Sequence, residues 1–327
     1  MSSIALVTGS TGLMGNVLVH KLLEQGRSVR ALVRSTDQAR KVLPSSCELV
    51  SGDITKANSV LHAMEGCSAV YHAAGIPEQW LADPSLFRKV NIEGTQNVID
   101  AAAKVKVEKV IYISTVDLFL ATPGCPYDET TVDSVLRGSP YRQSKQEADQ
   151  LVGESVGKGV PAVFIHPSAI YGYSPAESFW FAKLIRDIEK RKMPFALPGG
   201  LPFVFCEDVA LGCILAEKKG LAYDRYILDE SYYPFLEVYR IITQELGIHQ
   251  DFKVLPVAMA RLFAQTGELI SRVTRRPPLL QAAILRFMLS QNTPNSSKAR
   301  RELQWTPTPL REGIRKTIAT LREKRFL

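Results

Sequence analysis

Paired cysteines and long hydrophobic runs are missing from this chain of 327 residues. Its five cysteines, at positions 47, 67, 125, 206 and 213, are odd in number and form no C-x-x-C pair. This pattern argues against a disulfide framework and against a zinc site, so we expect no bound metal and the reduced thiols of a cytoplasmic protein. Because no uninterrupted apolar run reaches about 18 residues, no membrane-spanning helix is predicted.

A basic leader, internal repeats and low-complexity linkers are missing as well. The chain begins MSSIALVTGS, which we expect to form a first β-strand rather than a signal peptide. Apolar residues make up 46% of the chain and charged residues 22%. That balance is typical of a folded globular protein and excludes a disordered one.

Positive charge is in excess, with a formal net charge of +7. The densest basic groups lie late in the chain and have no interleaved aromatic residues; they are Arg272, Arg275 and Arg276, and Arg322, Lys324 and Arg325. We therefore expect a solvated surface and no nucleic-acid partner. A basic, amphipathic stretch at 262–289 leaves open a peripheral contact with a membrane surface.

Short β-rich runs alternate with helical patterns through the first half of the chain. Strands are predicted at 3–8, 28–33, 47–50, 69–73, 109–114 and 162–166, and helices at 16–25, 59–65, 87–103 and 141–156. Continuous Val, Ile and Leu runs indicate strands that are buried on both faces of a parallel sheet.

The predicted fold class is therefore α/β, a Rossmann-type doubly wound parallel sheet with a smaller, mostly helical C-terminal substrate lobe. We place the dinucleotide-binding domain at 1–166 and the substrate-binding lobe at 167–327. Segments near 203–230 are expected to return to the first domain.

A glycine-rich loop joins the first predicted strand to the first predicted helix. Gly9 permits a tight turn, Gly12 lets the backbone approach a pyrophosphate, and Gly15 allows close helix–strand packing. The helix N-terminus presents free N–H groups to the same anion. The predicted cofactor-binding loop comprises Gly9, Ser10, Thr11, Gly12, Leu13, Met14 and Gly15.

The ends of the following strands indicate which dinucleotide binds. The second strand is followed by Arg34 and lacks the acidic residue that commonly holds the ribose 2′-hydroxyl of NAD. A planar, permanently charged guanidinium suits a 2′-phosphate, so NADP(H) is preferred and NAD(H) stays open. Asp53 and Ile54 follow the third strand and Ala73, Ala74 and Gly75 the fourth; all five are predicted to line the cofactor.

A tyrosine and a lysine stand four residues apart on one predicted helix, as Tyr141 and Lys145. This spacing places both side chains on the same helix face. A nearby ammonium and a positive nicotinamide ring would favour the phenolate, so Tyr141 is a candidate acid–base residue. Ser114 and Thr115 end the fifth strand and offer hydroxyls to the substrate oxygen.

Taken in order, these motifs resemble the extended short-chain dehydrogenase/reductases, the NAD(P)-dependent epimerase/dehydratase superfamily. They are most similar to its dihydroflavonol reductase and 3β-hydroxysteroid dehydrogenase branch. The matching segments are TGSTGLMG at 8–15, DI at 53–54, HAAG at 72–75, VNIEGTQNVIDAA at 90–102, IST at 113–115, YRQSK at 141–145, HPSAIYG at 166–172 and FCEDVA at 205–210. A C-terminal segment, SSKARRELQWTPTPLREGI, completes the resemblance.

The resemblance implies a role for individual residues. Thr115 matches the residue that positions the substrate, Tyr141 the acid–base residue, and Lys145 the group that lowers the tyrosine pKa and binds the nicotinamide ribose. Asn91 matches an asparagine that supports the active site, and it could equally be a buried, satisfied amide. Pro167 and Ser168 would pass beside the nicotinamide amide. His166 and Glu207 depart from the family pattern.

The substrate is predicted from the second half of the chain. The stretch 254–289 is rich in apolar residues, and the segment LPFVFCEDVA contains no arginine that could clamp phosphates. A small, hydrophobic carbonyl or alcohol is therefore expected, acted on by an NADP(H)-dependent oxidoreductase. Two alternatives stay open: an NAD-dependent nucleotide-sugar epimerase or dehydratase, and a non-catalytic NADP(H)-binding regulatory or assembly protein. The family resemblance also suggests a homodimer.

Overall fold

Seven parallel strands form the central sheet in a computed structural model that describes residues 4–122, 124–173, 180–291 and 293–327. The strands in chain order are β1 Ile4–Thr8, β2 Ser28–Val33, β3 Glu48–Ser51, β4 Cys67–His72, β5 Lys109–Ile113, β6 Pro126–Tyr127, β7 Ala162–Pro167, β8 Ala169–Tyr171, β9 Phe195–Ala196, β10 Gly200–Phe205, β11 Arg225–Leu228, β12 Ser231–Pro234, β13 Lys253–Val254 and β14 Thr293–Pro294. The central sheet has the order β11-β7-β5-β4-β1-β2-β3, which is a doubly wound Rossmann-type arrangement.

Helices cover both faces of this sheet. In chain order they are α1 Leu13–Glu24, α2 Thr36–Arg40, α3 Ala57–Met64, α4 Ser85–Phe87, α5 Gly94–Val105, α6 Pro140–Val156, α7 Trp180–Glu189, α8 Cys206–Lys219, α9 Phe235–Leu246, α10 Val257–Thr274, α11 Ala282–Leu289 and α12 Leu310–Glu323. A π-helical segment, Arg88–Glu93, joins α4 to α5. Among the described helices, none has the length and hydropathy that a membrane span requires.

Alternate residues of each central strand pack on opposite layers. In β1, Ala5 and Val7 face the layer that contains α1 and α8, whereas Leu6 faces the layer of α3, α5 and α6. Strands buried on both sides must be apolar at every position, and this explains the continuous hydrophobic runs of the sequence. The predicted fold class and the six predicted strands are confirmed.

The second half of the chain contains more β-structure than the sequence predicted. The strands β8, β10 and β12 form a separate three-stranded sheet, and β11 joins the central sheet beside β7. The Pro- and Gly-rich stretch 194–202, in which no strand was predicted, contains β9 and the start of β10. Strand pairing outweighs the local turn propensity of proline and glycine here.

The closing segment is bound to α8 through one aspartate. Asp208 accepts hydrogen bonds from the backbone N–H of Thr308 at 2.6 Å and from its hydroxyl at 2.9 Å. The indole of Trp305 donates to the Asp208 carbonyl at 2.8 Å and is fully buried. The motif FCEDVA therefore anchors the C-terminal segment to the rest of the protein.

Candidate active site

The glycine loop turns tightly beneath the C-terminal ends of β1 and β4. Gly9 has a φ of +69°, and a Cβ placed on it would lie 2.7 Å from the backbone of Ala74. A Cβ on Gly15 would lie 2.2 Å from the Gly9 carbonyl oxygen. Both positions therefore require glycine. Gly9 needs it for its positive φ and for the close approach of Ala74, and Gly15 needs it for the close packing of α1.

The N-terminal end of α1 carries free hydrogen-bonding groups. Gly12 caps the helix without a side-chain bond, and Ser10 Oγ is buried without a hydrogen-bond partner among the described residues. Thr11 and Gly12 are exposed, Leu13 is half-buried and Met14 is buried. A buried hydroxyl and the N–H groups of a helix N-terminus suit an anionic pyrophosphate. These residues fit the dinucleotide that the sequence predicted.

A buried histidine connects this loop to the neighbouring helix. The Thr95 hydroxyl donates to the Asn91 carbonyl at 2.6 Å, and it therefore accepts from Nε2 of His72 at 3.0 Å. His72 Nδ1 then accepts from the Thr8 hydroxyl at 2.8 Å. Burial, and secondarily the Lys145 charge, lower the pKa of His72 to about 3, so its ring is neutral.

The ends of β2 and β3 carry the residues predicted to contact adenosine. Arg34 directly follows β2, is exposed, and forms no hydrogen bond or ion pair with any described residue. Asp53 is half-buried, and its carboxylate accepts from the Thr55 N–H at 2.9 Å. Ile54 is 9% exposed and packs closely on Gly94 of the α5 helix. A Cβ added at Gly94 would lie 2.7 Å from the Ile54 Cδ1 atom.

Asn91 holds the segment that follows β4 through its amide group. Its Oδ1 accepts from the Ile76 N–H at 2.7 Å, and its Nδ2 donates to the Ser144 hydroxyl at 2.9 Å. Ser144 in turn donates to the Tyr141 carbonyl at 2.7 Å. Asn91 is thus buried and satisfied, and it links the chain beyond Ala73, Ala74 and Gly75 to the helix that carries Tyr141.

The structure brings Tyr141 and Lys145 to the C-terminal ends of the central strands. Tyr141 is 8% exposed. The Lys145 ammonium donates to the Ile113 carbonyl at 3.0 Å and lies over the Tyr112 ring. Lys145 keeps part of its side chain accessible to solvent. Burial nevertheless lowers the pKa of Lys145 to about 8, against an opposing effect of Asp149.

The environment of the Tyr141 phenol opposes its ionisation. Burial, and then the Asp117 carboxylate, raise the pKa of Tyr141, while a hydrogen bond with Thr115 lowers it in part. The positive charge of a bound, oxidised nicotinamide would act in the opposite direction and lower this pKa.

A buried ion pair lies behind these residues. Arg225 Nη1 is 2.7 Å from Asp149 Oδ2 and donates to His166 Nε2 at 3.1 Å. A guanidinium cannot accept, so His166 carries its proton on Nδ1 and donates to the Thr115 carbonyl at 3.2 Å. Burial, and secondarily the Arg225 charge, lower the pKa of His166 well below its usual range.

Ser114 and Ser168 occupy buried positions beside the same cluster. The Ser114 hydroxyl donates to Asp149 Oδ1 at 3.2 Å, which directs it towards the ion pair. Pro167 ends β7 and Ser168 follows it, both buried, and the Ser168 N–H donates to the Leu228 carbonyl at 3.1 Å. Thr115 is half-buried and accepts from the Asp117 N–H at 3.2 Å.

The residues of this site that escaped the sequence analysis include His72, Asp149 and Arg225. Asp149 stands four residues after Lys145 on α6, a spacing that could have identified it. His72 belongs to the HAAG segment but carried no separate signal. Arg225 lies far along the chain on β11, and only the pairing of β11 with β7 places it beside His166.

Comparisons with known proteins agree with this geometry. Residues 5–228 match the model of the NAD dependent epimerase/dehydratase family. A 4-hydroxy-2-methyl-3-oxo-4-farnesyl-3,4-dihydroquinoline-1-oxide ketoreductase of Stigmatella aurantiaca is 29% identical over 307 residues, 91% of this chain and 90% of that protein. The 3 beta-hydroxysteroid dehydrogenase type 7 of Mus musculus is 34% identical over 186 residues, 52% of this chain and 50% of that protein. The crystal structure of gox2253 has a TM-score of 0.84 at 29% identity, with 98% of each chain covered.

Proposed function

The chain belongs to the NAD dependent epimerase/dehydratase family, and from this premise we propose that it interconverts a carbonyl and an alcohol on a small, hydrophobic molecule with NADP(H). Its enzyme class is that of an NAD(P)-dependent oxidoreductase of the extended short-chain dehydrogenase/reductase type. One observation carries the proposed chemistry: Tyr141 interacts with Thr115, and Lys145 binds the Ile113 carbonyl two residues earlier, on the same sheet edge as the glycine loop.

In the proposed reaction, the protein positions one oxygen and moves one proton. The nicotinamide, when bound, supplies a hydride to the carbonyl carbon or accepts it from the alcohol. The Tyr141 hydroxyl gives its proton to the carbonyl oxygen during reduction and takes it back during oxidation. Thr115 orients that oxygen, and the Lys145 ammonium balances the phenolate charge. Asn91 holds the turn at Ile76 and the first turn of α6 in place.

The substitution Tyr141→Phe tests the proton-transfer role. Turnover should be lost while NADPH binding, measured by the fluorescence of the bound nicotinamide, stays within about threefold of wild type. Tyr239→Phe is a matched control, because Tyr239 is also buried but lies in α9, where it packs on Phe252. Normal turnover in Tyr141→Phe would refute the assignment.

The preference for NADP(H) rests on Arg34, whose guanidinium follows β2 and forms no ion pair among the described residues. An exposed, forked cation at this position favours a 2′-phosphate. Arg34→Ala should weaken NADPH binding about tenfold or more and leave NADH binding almost unchanged. Lys41→Ala removes an exposed cation from the end of α2 and serves as the control. Equal loss for both cofactors would contradict the proposed preference.

A hydrophobic substrate is supported by two independent features. The segment 201–210 contains no arginine, so it offers no clamp for a diphosphate. One relative is named as a ketoreductase of a farnesylated quinoline oxide and another as a hydroxysteroid dehydrogenase. We propose that residues 167–327 shape the pocket for a molecule of this kind.

A substrate panel separates this proposal from the sugar-nucleotide alternative. Oxidation of NADPH and of NADH should be measured with steroid ketones, apolar aldehydes and UDP-glucose. We expect consumption of NADPH with the apolar carbonyl compounds. Conversion of UDP-glucose without net consumption of either cofactor would instead identify an epimerase.

A further inference from the structure

Helix α10 presents its large apolar side chains to solvent and buries its small ones. Met259, Leu262, Phe263, Leu269, Ile270 and Val273 are between 46% and 86% exposed. The opposite face, with Ala260, Ala264 and Ser271 almost completely buried, packs towards α11. An ordinary surface helix has the reverse arrangement, with its large apolar residues inside.

The exposed residues lie along one side of α10. From Met259 to Val273 they recur at spacings of three, four and seven residues, close to whole turns of the helix, with the exposed Thr266 between the two halves of the stripe. Leu279, in the loop that follows α10, is fully exposed and adds a further apolar side chain to the solvent-facing surface of this region. Exposed apolar residues that are grouped in this way mark an interaction site, whereas apolar residues scattered singly over a surface do not. We call these seven residues the α10 surface.

Positive charge surrounds the α10 surface. Arg261, Arg275, Arg276 and Arg286 are exposed, and none forms an ion pair with a residue that the structure describes. Glu268 is the single acidic residue in the sequence from 253 to 291. Its carboxylate is turned inward, where it accepts a hydrogen bond from the Ala282 N–H at 2.8 Å at the start of α11. Apart from Glu268, the charged residues of 253–291 are therefore all basic.

We propose that the α10 surface binds the interface of an anionic lipid bilayer. An amphipathic helix with an apolar stripe and flanking arginines lies in the plane of a membrane surface, with the stripe in the acyl boundary and the cations among phosphate headgroups. The proposal concerns a surface outside the candidate active site and does not depend on the reaction proposed above.

A second copy of the chain fits this surface less well. In a twofold dimer the same patch meets itself. The arginines of one copy (Arg261, Arg275 and Arg276) would then approach those of the other, and Glu268 cannot neutralise them because it is engaged at α11. Phosphate headgroups supply the negative charge that a second copy lacks.

Vesicle flotation tests the proposal with the full chain. We expect the protein to float with vesicles of phosphatidylcholine mixed with phosphatidylglycerol, and about tenfold less with pure phosphatidylcholine or at high salt. The double variant Phe263→Ser/Ile270→Ser should lose about tenfold or more of this binding. Its matched control, Leu211→Ser/Leu221→Ser, changes two other exposed leucines and should bind as wild type does.

A charge variant keeps the test decisive if the apolar variant fails to fold. Arg275→Gln/Arg276→Gln should also reduce flotation, whereas Lys104→Gln/Lys158→Gln, which removes two exposed cations elsewhere, should not. Failure of the wild type to float overturns the proposal. It is also overturned if light scattering shows a dimer that Phe263→Ser/Ile270→Ser converts to a monomer while vesicles are ignored.

Discussion

Arg225 and Asp149 form a buried ion pair, 2.7 Å between Nη1 and Oδ2, that connects the last strand of the central sheet to the helix of Tyr141 and Lys145. The guanidinium also stacks 4.1 Å from the Phe164 ring centroid. Arg225 also places a cation directly beside His166, one of the two residues at which the sequence departs from its family pattern. The pair, His166 and the Thr115 carbonyl act as one connected group.

Removal of one partner should destabilise the protein strongly. Arg225→Met leaves the Asp149 carboxylate buried and unpaired, and the free energy of unfolding should fall by about 3–5 kcal/mol in urea titrations. The double variant Asp149→Asn/Arg225→Met should be more stable than the sum of the single effects implies. Arg315→Met, at an exposed pair with Glu245, should change stability little. Strictly additive single effects at 149 and 225 would exclude the coupling.

Burial of Lys145 should set the alkaline limit of activity, and the Asp149 carboxylate should shift that limit to higher pH. Lys145 has a pKa of about 8, so its ammonium is lost above that pH, and Asp149 opposes this loss. We expect kcat/KM to fall on the alkaline side with an apparent pKa of about 8. In Asp149→Asn the same limb should move to lower pH, because a negative charge that favours the ammonium is gone. A pH profile that is identical in both proteins would contradict this account.

Neutral His72 should make the fold sensitive to acid. The unfolded chain takes up a proton at this residue near its ordinary pKa of 6.5, whereas the folded protein does so only near pH 3. Stability should therefore decrease as the pH falls from about 6.5 towards 3, by a few kcal/mol at most from this group. Urea titrations of wild type and His72→Gln at about pH 7 and about pH 4.5 measure it. The variant should lose less stability between the two values of pH than the wild type loses.

The glycine loop allows backbone strain to be separated from steric approach. Gly9 and Gly26 have nearly equal φ angles, +69° and +73°, but a Cβ added at Gly26 would have no neighbour within 4 Å, whereas one at Gly9 would lie 2.7 Å from the Ala74 backbone. Gly26→Ala should cost about 1 kcal/mol and leave NADPH binding intact. Gly9→Ala should cost more and abolish binding. Equal effects at both positions would show that the approach to Ala74 does not matter.

The sequence predicted those parts of the protein that depend on short-range patterns. The parallel strands were predictable because burial on both faces demands continuous apolar runs, and the glycine loop because its turn demands glycine. The resemblance to the hydroxysteroid dehydrogenase branch is confirmed by a relative of that name. The roles of Thr115, Tyr141 and Lys145 remain predictions; Tyr141→Phe tests the proton transfer, and the pH profile of Asp149→Asn tests the ammonium.

Features that depend on distant pairing were not predictable in this way. Arg225 meets Asp149 only because β11 lies beside β7, and no local pattern announces that neighbour. The small sheet of β8, β10 and β12 was missed because Pro and Gly dominate the segment before β10. The sequence indicated a basic, amphipathic stretch at 262–289, but a hydrophobic period alone does not reveal whether the core or another partner receives its apolar side.

The π-helical segment Arg88–Glu93 makes the function of Asn91 depend on chain length as well as on residue type. A π turn accommodates one residue more than an α turn, so the helix on either side is out of phase by about 100°. A deletion of one residue between 88 and 90 would restore regular α-helical winding. Asn91 would then rotate away from Ile76 and Ser144 with its chemistry unchanged. The geometry of this site therefore depends on the number of residues between α4 and α5 as well as on their identity.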